Sequence, residues 1–114
     1  MIDSRQLRRR TVNFLVNKYV DGVPHICQAV NLSMAGMLLH KIGEPALVPG
    51  PVDLEFLLPD LDLVVRLPGQ VLAESPTARA HAVRFTHVTS EVQKLLQQVL
   101  SEDPRFVELR VESA

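Results

Sequence analysis

The densest group of like charges in this chain lies near its N-terminus, in residues 5–10, which read Arg-Gln-Leu-Arg-Arg-Arg. A guanidinium can donate two hydrogen bonds to a phosphate or to the O6 and N7 edge of guanine, and it can lie flat on a base, which lysine does less well. Most charge runs, however, are only solvated arms. The cluster of Arg5, Arg8, Arg9 and Arg10 therefore predicts an anion or guanine site only if a second polar group meets it.

The second polar group is the segment 31–36, which reads Asn-Leu-Ser-Met-Ala-Gly. The Asn31 amide can both accept and donate hydrogen bonds, and the Ser33 hydroxyl can donate to a phosphate or a base. Gly36 permits a positive φ and a close approach by a ligand. The sequence leaves open the alternative of a simple turn, in which Asn31 and Ser33 bond only their own backbone.

A predicted β-hairpin connects the two polar groups. Residues 12–20 and 23–31 have the composition of strands, and the Asp-Gly dipeptide between them tolerates the positive φ of a tight turn. The chain between Arg9 and Asn31 has the length of two strands of about nine residues and such a turn. Because a hairpin brings its two ends together, we expect the arginines and the segment 31–36 to face each other at one rim of a sheet.

Short strands separated by turn signals continue along the chain. An apolar segment restarts at residues 37–39, and a loop rich in Pro and Gly is predicted over residues 43–51. Further strands are predicted over residues 52–58, 61–67, 69–74 and 79–87, with Pro68-Gly69 as the turn between the second and third of these. About six short strands at this spacing indicate a mainly β fold, a small antiparallel barrel rather than a parallel sheet.

One helix is predicted over residues 90–101. Ser90 with Gln93 has the pattern of a capping box, and an apolar stripe at helical spacing is formed by Val92, Leu95, Leu96, Val99 and Leu100. In the tail, apolar and charged residues alternate over 107–112, and this pattern is compatible with an extra strand. The predicted organisation is a mobile arginine arm at residues 1–10, a barrel with its helix at residues 11–101, and a tail at residues 102–114.

The two polar segments resemble the signature of the PilZ domain family, which is RxxxR before the first strand and [D/N]xSxxG after the second. Arg5 and Arg9 are the pair that fits RxxxR, and the segment 31–36 fits the second motif. Residues 82–85, Ala-Val-Arg-Phe, are similar to the GVRF-type last barrel strand of the family, and the predicted helix follows them. The resemblance covers about residues 5–100 and implies a six-stranded antiparallel β-barrel with a C-terminal helix.

The resemblance also implies a function, that of a receptor domain and not of an enzyme. Its ligand would be the bacterial second messenger cyclic di-GMP, with no further cofactor and no metal, and its output an unidentified protein partner in motility, polarity, adhesion or biofilm control. The residues implied as ligand-binding are Arg5, Arg8, Arg9, Arg10, Asn31, Ser33 and Gly36. The alternative is a degenerate PilZ domain that acts as a ligand-independent adaptor between proteins.

Two departures from the family pattern bear on that alternative. The family often has tryptophan or another large side chain beside the ligand late in the barrel, where this chain has Leu72 and Ala73. Ala82 replaces the usual glycine before Val-Arg-Phe. Both changes predict altered stacking or affinity.

Composition disfavours several other classes of function. The formal net charge of −1 and an aromatic content of 4% argue against binding of DNA or RNA. The single cysteine cannot form an internal disulfide, and the four histidines show no metal-ligand spacing. The N-terminus lacks the apolar run of a signal sequence, and no stretch approaches the roughly 20 apolar residues of a membrane span. We therefore expect a cytoplasmic protein without membrane insertion, a monomer or a weak homodimer.

Overall fold

Six antiparallel strands close into a barrel, and one helix follows them in the chain. The computed structural model describes residues 9–42, 50–58, 61–72 and 80–101. The elements are β1 (Arg9–Val20), β2 (Val23–Ser33), β3 (Gly36–Lys41), β4 (Gly50–Leu58), β5 (Leu63–Val71), β6 (Ala80–Phe85) and α1 (Ser90–Ser101). Their order around the barrel is β1-β2-β3-β6-β5-β4, and each pairing is antiparallel. The predicted mainly β barrel with a C-terminal helix is confirmed.

The β1–β2 hairpin is the longest pairing in the barrel. Its turn has φ values of 50° at Asp21 and 80° at Gly22, which is the left-handed pair that a tight two-residue hairpin turn requires. From this turn the two strands run side by side until Arg9 lies opposite Ser33. The register therefore brings the start of β1 and the end of β2 to the same rim, as the sequence predicts.

The interior of the barrel is an apolar core that the helix joins. Alternate residues of the strands point inward, among them Val16, Leu39 and Leu54, which are 1% exposed or less. From α1, the side chains of Leu96, Val99 and Leu100 enter the same core, and Val92 and Leu95 pack against it. The predicted helical stripe is therefore confirmed. Full burial of one such Leu or Val side chain contributes about 1.5–3 kcal/mol.

One polar pair lies inside this apolar core. Lys18 of β1 is 0% exposed and His81 of β6 is 1% exposed. The Lys18 Nζ atom lies 3.0 Å from His81 Nε2, at hydrogen-bond distance. A buried polar group is costly unless hydrogen bonds replace its water. The contact ties β1 to β6 across the barrel interior.

We expect Lys18→Ala to lower the free energy of unfolding by about 3 kcal/mol, because it removes a hydrogen-bond partner of a buried nitrogen and leaves a cavity. The double variant Lys18→Met with His81→Leu replaces both polar groups by apolar groups of similar volume and should lose less stability than Lys18→Ala. Urea denaturation of both variants measures this difference. If the double variant loses as much unfolding free energy as Lys18→Ala, or more, then the loss in Lys18→Ala does not come from the broken polar pair.

The predicted turn at Pro68-Gly69 is wrong, because both residues lie inside the single strand β5. The Pro68 carbonyl accepts a hydrogen bond from the backbone N–H of Thr86, at 3.1 Å. In an antiparallel strand the N–H and C=O of one residue point to the same side, so the missing N–H of Pro68 also faces β6. Since β6 ends at Phe85, no β6 strand residue lies opposite Pro68, and the strand accommodates proline there.

The start of the helix also differs from the prediction. Thr89, and not Ser90, is the N-cap: its hydroxyl accepts from the Val92 N–H at 3.3 Å, and its carbonyl accepts from the Gln93 N–H at 2.8 Å. Ser90 is already the first residue of α1. Ser and Thr are both good caps, so their adjacency in the sequence cannot decide between them.

Some predictions fall on residues that the structure does not describe. The arm over residues 1–8, most of the loop at 43–51 and the tail from residue 102 onward lie outside the described residues. Arg9 and Arg10, which the predicted organisation places in the arm, are the first two residues of β1. Within the described part of the chain, no helix is long and apolar enough to cross a membrane.

Candidate functional site

The candidate site is an open pocket of about 230 Å³ on the outside of the barrel, where β1 begins and β2 ends. It combines polar and apolar groups from the first three strands, from β6 and from the residue after β5. Its lining consists of Arg9, Asn31, Leu32, Ser33, Ala35, Gly36, Met37, Leu38, Leu72, Ala82, Val83 and Arg84. The two polar segments that the sequence predicts to meet do so here.

Strand pairing arranges part of this lining into two adjacent rows across the sheet. In the first row, Arg9 pairs with Ser33, and beyond the β2–β3 turn Gly36 pairs with Arg84. This row, which we call the polar row, holds both guanidiniums of the pocket. Directly opposite neighbours on one face of a sheet lie about 5 Å apart.

The second row lies two residues away from the polar row along each strand. Asn31 pairs with Leu38, Leu38 pairs with Ala82, and the Leu72 N–H donates to the Ala82 carbonyl at 3.1 Å. This row, which we call the aliphatic row, offers one amide beside three apolar side chains. The pocket is therefore divided into a charged strip and an apolar strip.

A break in the alternation of β2 brings Asn31 to the outer surface. Cys27 and Ala29 are fully buried, so strict alternation would also turn Asn31 into the core. The register between β2 and β3 shifts between Ala29 and Asn31, and the register between β1 and β2 shifts between Thr11 and Phe14. Beyond these irregularities Leu32 points inward, while Asn31 and Ser33 line the pocket.

The Ser33 hydroxyl holds the turn between β2 and β3. It accepts from the backbone N–H groups of Ala35 and Gly36, each at 3.2 Å, and donates to the Gly36 carbonyl at 3.3 Å. The turn that the sequence left open as an alternative is thus present. The donated bond is long, since hydroxyl donors usually lie about 2.7–2.8 Å from their acceptor. The proton can therefore be redirected to a ligand without loss of the two accepted bonds.

Gly36 is needed for a reason that differs from the expected one. Among the described residues the glycine with a positive φ is Gly22, so Gly36 does not supply a left-handed turn. A Cβ atom at Gly36 would instead lie 2.2 Å from the Val83 carbonyl oxygen. Only glycine lets β3 approach β6 this closely, because the β6 backbone fills the place that a side chain would occupy.

We expect Gly36→Ala to lower the free energy of unfolding by about 2–3 kcal/mol, because the added methyl group collides with backbone that cannot move aside cheaply. Gly50→Ala is the matched control: a Cβ at Gly50 has no atom within 4 Å, so stability should change by less than about 0.5 kcal/mol. Urea denaturation of the two variants provides the comparison. Similar losses of unfolding free energy in the two variants would contradict this explanation, because they would show that the close approach of β3 and β6 at Gly36 does not affect stability.

The predicted arginines take different positions in the structure. Arg9 is exposed and lines the pocket, whereas the next residue, Arg10, points the other way, as alternation requires. The Arg10 Nη1 atom donates to the Val99 carbonyl in the last turn of α1, at 3.0 Å. Carbonyls at a helix C-terminus lack partners within the helix, and a cation there is favourable. Arg5 and Arg8 lie outside the described residues.

We expect Arg10→Ala to lower the free energy of unfolding by about 1–2 kcal/mol, since it removes a charge-assisted bond at the end of α1. Arg9→Ala is the control from the adjacent position and should cost less than about 0.5 kcal/mol. Thermal or urea unfolding measures both. Equal losses would mean that Arg10 does not stabilise the helix.

The arginines of the described residues divide into two groups. Arg10 bonds Val99, and Arg66 lies 4.9 Å from the Tyr19 ring centre and 4.0 Å from a Glu55 carboxylate oxygen. For the other two, Arg9 and Arg84, no hydrogen bond or ion pair to another described residue is formed. Both of these uncommitted guanidiniums line the pocket. The Asn31 amide is likewise unengaged by described groups.

The sequence motifs predict no ligand-binding role for Arg84. The Ala-Val-Arg-Phe pattern predicts a strand, and its alternation also indicates the direction in which Arg84 points. Val83 and Phe85 are 1% and 8% exposed, so Arg84 between them must point outward. What the sequence could not supply is the neighbour on that face, because β3 and β6 are adjacent in the barrel but distant in the chain.

Fold and site together define a class, a small β-barrel domain with an arginine-containing pocket at one rim. The family model for the PilZ domain matches residues 3–102. The chain therefore belongs to the PilZ domain family, which confirms the resemblance drawn from the two motifs.

Solved structures share this fold at low sequence identity. The PilZ domain with c-di-GMP of YcgR from Escherichia coli is 16% identical, with a TM-score of 0.70, over 94% of this chain and 96% of that chain. The PilZ domain of CeSA from a cellulose-synthesizing bacterium is 18% identical, with a TM-score of 0.64, over 82% and 94%. The Bacillus subtilis inhibitor of motility, MotI/DgrA, is 14% identical, with a TM-score of 0.67, over 99% and 54%. A search of curated proteins gave no match.

Proposed function

We propose that this chain is a receptor for cyclic di-GMP and that the pocket beside β1 and β2 is its binding site. The observation that carries the proposal is the meeting of Arg9, Asn31, Ser33 and Gly36 in one pocket. Membership of the PilZ domain family and the similarity to a PilZ domain solved with c-di-GMP support the choice of ligand.

The residues of the pocket suit the parts of such a ligand. The uncommitted Arg9 fork can pair with a phosphate or with the O6 and N7 atoms of guanine. The Asn31 amide can both accept from and donate to the edge of a guanine. Beside it, Leu38, Ala82 and Leu72 offer an apolar surface for the face of a base. Since these side chains are aliphatic, this surface lacks the additional stacking energy of an aromatic ring.

The remaining predicted arginines receive separate roles in this proposal. Arg9 lies at the pocket, and Arg5 and Arg8 precede it in the chain. We therefore propose that Arg5 and Arg8 bind the ligand as part of an N-terminal arm that closes over it. Arg10 contributes through α1, because its guanidinium is bound to Val99. In this assignment Arg9 is the arginine of the described cluster that contacts the ligand directly.

The output that we propose is a change in binding to a protein partner, without catalysis by this chain. Closure of the arm over the ligand would create or cover a surface next to β1. The neighbour that is named an inhibitor of motility supports a role in motility control. We also propose that the protein acts in the cytoplasm.

Isothermal titration calorimetry with cyclic di-GMP tests the binding site. Loss of hydrogen bonds to a charged group costs about 1.5–3 kcal/mol, so Arg9→Ala should weaken binding by about 10- to 100-fold. Asn31→Ala should weaken it by about tenfold, as expected for neutral hydrogen bonds. Arg66→Ala is the matched control, an exposed arginine that does not line the pocket, and should bind as the wild type does.

The second candidate function is a ligand-independent adaptor. It is favoured by an exposed apolar surface on the other side of the barrel, where Leu15, Leu57 and Val64 are 63%, 49% and 69% exposed. A wild-type protein that gives no binding heat with cyclic di-GMP, while circular dichroism shows an intact fold, would transfer the assignment to this adaptor.

A further inference from the structure

The wall of the pocket opposite Arg9 carries a second arginine, Arg84 of β6. It is exposed, and among the described residues no hydrogen bond or ion pair engages its guanidinium. By contrast, the exposed Arg66 on the neighbouring strand stacks on Tyr19 and approaches Glu55. Arg84 therefore has no structural contact, within the described part of the chain, that accounts for its position.

Ser33 and Gly36 lie between the two arginines in the polar row. Arg9 pairs with Ser33, and Arg84 pairs with Gly36. Three strand spacings of about 4.8 Å separate β1 from β6 along the sheet. Both arginines line the same pocket, so one ligand bound there can contact both side chains.

Charge within the pocket points to the part of the ligand that Arg84 would bind. Among the described residues, the lining contains two guanidiniums and no carboxylate, and both guanidiniums lie in the polar row. The aliphatic row holds the Asn31 amide and the apolar side chains. A nucleotide fits this division when its phosphates lie along the polar row and a base lies on the aliphatic row.

We propose that Arg84 binds a phosphodiester group of the ligand from the wall opposite Arg9, so that the anion is held between two strands distant in the sequence. This assignment rests on the proposed function and adds to it a contact that neither of the two family motifs contains. Arg84 acts as a charge at this position.

Calorimetry with cyclic di-GMP on the wild type, Arg9→Ala, Arg84→Ala, Arg84→Lys and the control Arg66→Ala tests the proposal. Arg84→Ala should weaken binding about tenfold, whereas Arg84→Lys, which keeps the charge, should stay within about threefold of the wild type. Because one ionic contact is missing, affinity of Arg84→Ala should also fall less between 50 and 500 mM NaCl than wild-type affinity does. The urea midpoint of Arg84→Ala should match that of the wild type.

The outcomes separate this proposal from the one on which it rests. If the wild type binds, Arg9→Ala does not, and Arg84→Ala binds as the wild type does, then the receptor assignment holds and the role of Arg84 is wrong. If Arg84→Lys is as weak as Arg84→Ala, or if the salt dependence is unchanged, the phosphate contact is wrong. A wild type that does not bind cyclic di-GMP overturns both proposals.

Discussion

The register of the β1–β2 hairpin determines where Arg9, Asn31 and Ser33 lie in the pocket. A shift by one residue would exchange the inner and outer faces of a strand, turning Arg9 toward the helix and Arg10 toward the pocket. The Asp21-Gly22 turn sets the pairing register at one end of the hairpin, and the irregularities near Phe14 and Ala29 shift this register toward the other end. The pocket is thus a consequence of backbone geometry, and the side chains follow from it.

Adjacent arginines serve opposite purposes because of that alternation. Arg10 is bound to the helix end through Val99, which links the start of the barrel to α1. Arg9, one residue earlier, has no contact of this kind and faces solvent in the pocket. The same cluster of charge therefore contributes both to holding the fold and to the proposed recognition of an anion. A charge count alone would not distinguish these two uses.

The floor of the pocket shows how packing and recognition share one residue. Gly36 permits β6 to lie against β3, and it also forms part of the pocket lining between Ser33 and Arg84. Ser33 closes the turn with its accepted hydrogen bonds and keeps a weakly used proton. Both residues of the motif thus have structural roles, and these roles are compatible with the proposed ligand site.

The sequence by itself determined the barrel, the hairpin turn and the helical stripe, because periodicity and turn chemistry are local properties. It also predicted the meeting of Arg9 with the segment 31–36, since hairpin length sets that distance. Tertiary structure alone decided the rest. Alternation would have buried Asn31 with Ala29, and only the irregularity in β2 turns it outward. Pro68 is tolerated within β5 because β6 ends beside it, and Arg84 reaches the pocket because β3 and β6 are neighbours in the closed barrel. These are relations between segments far apart in the chain, which no local pattern records.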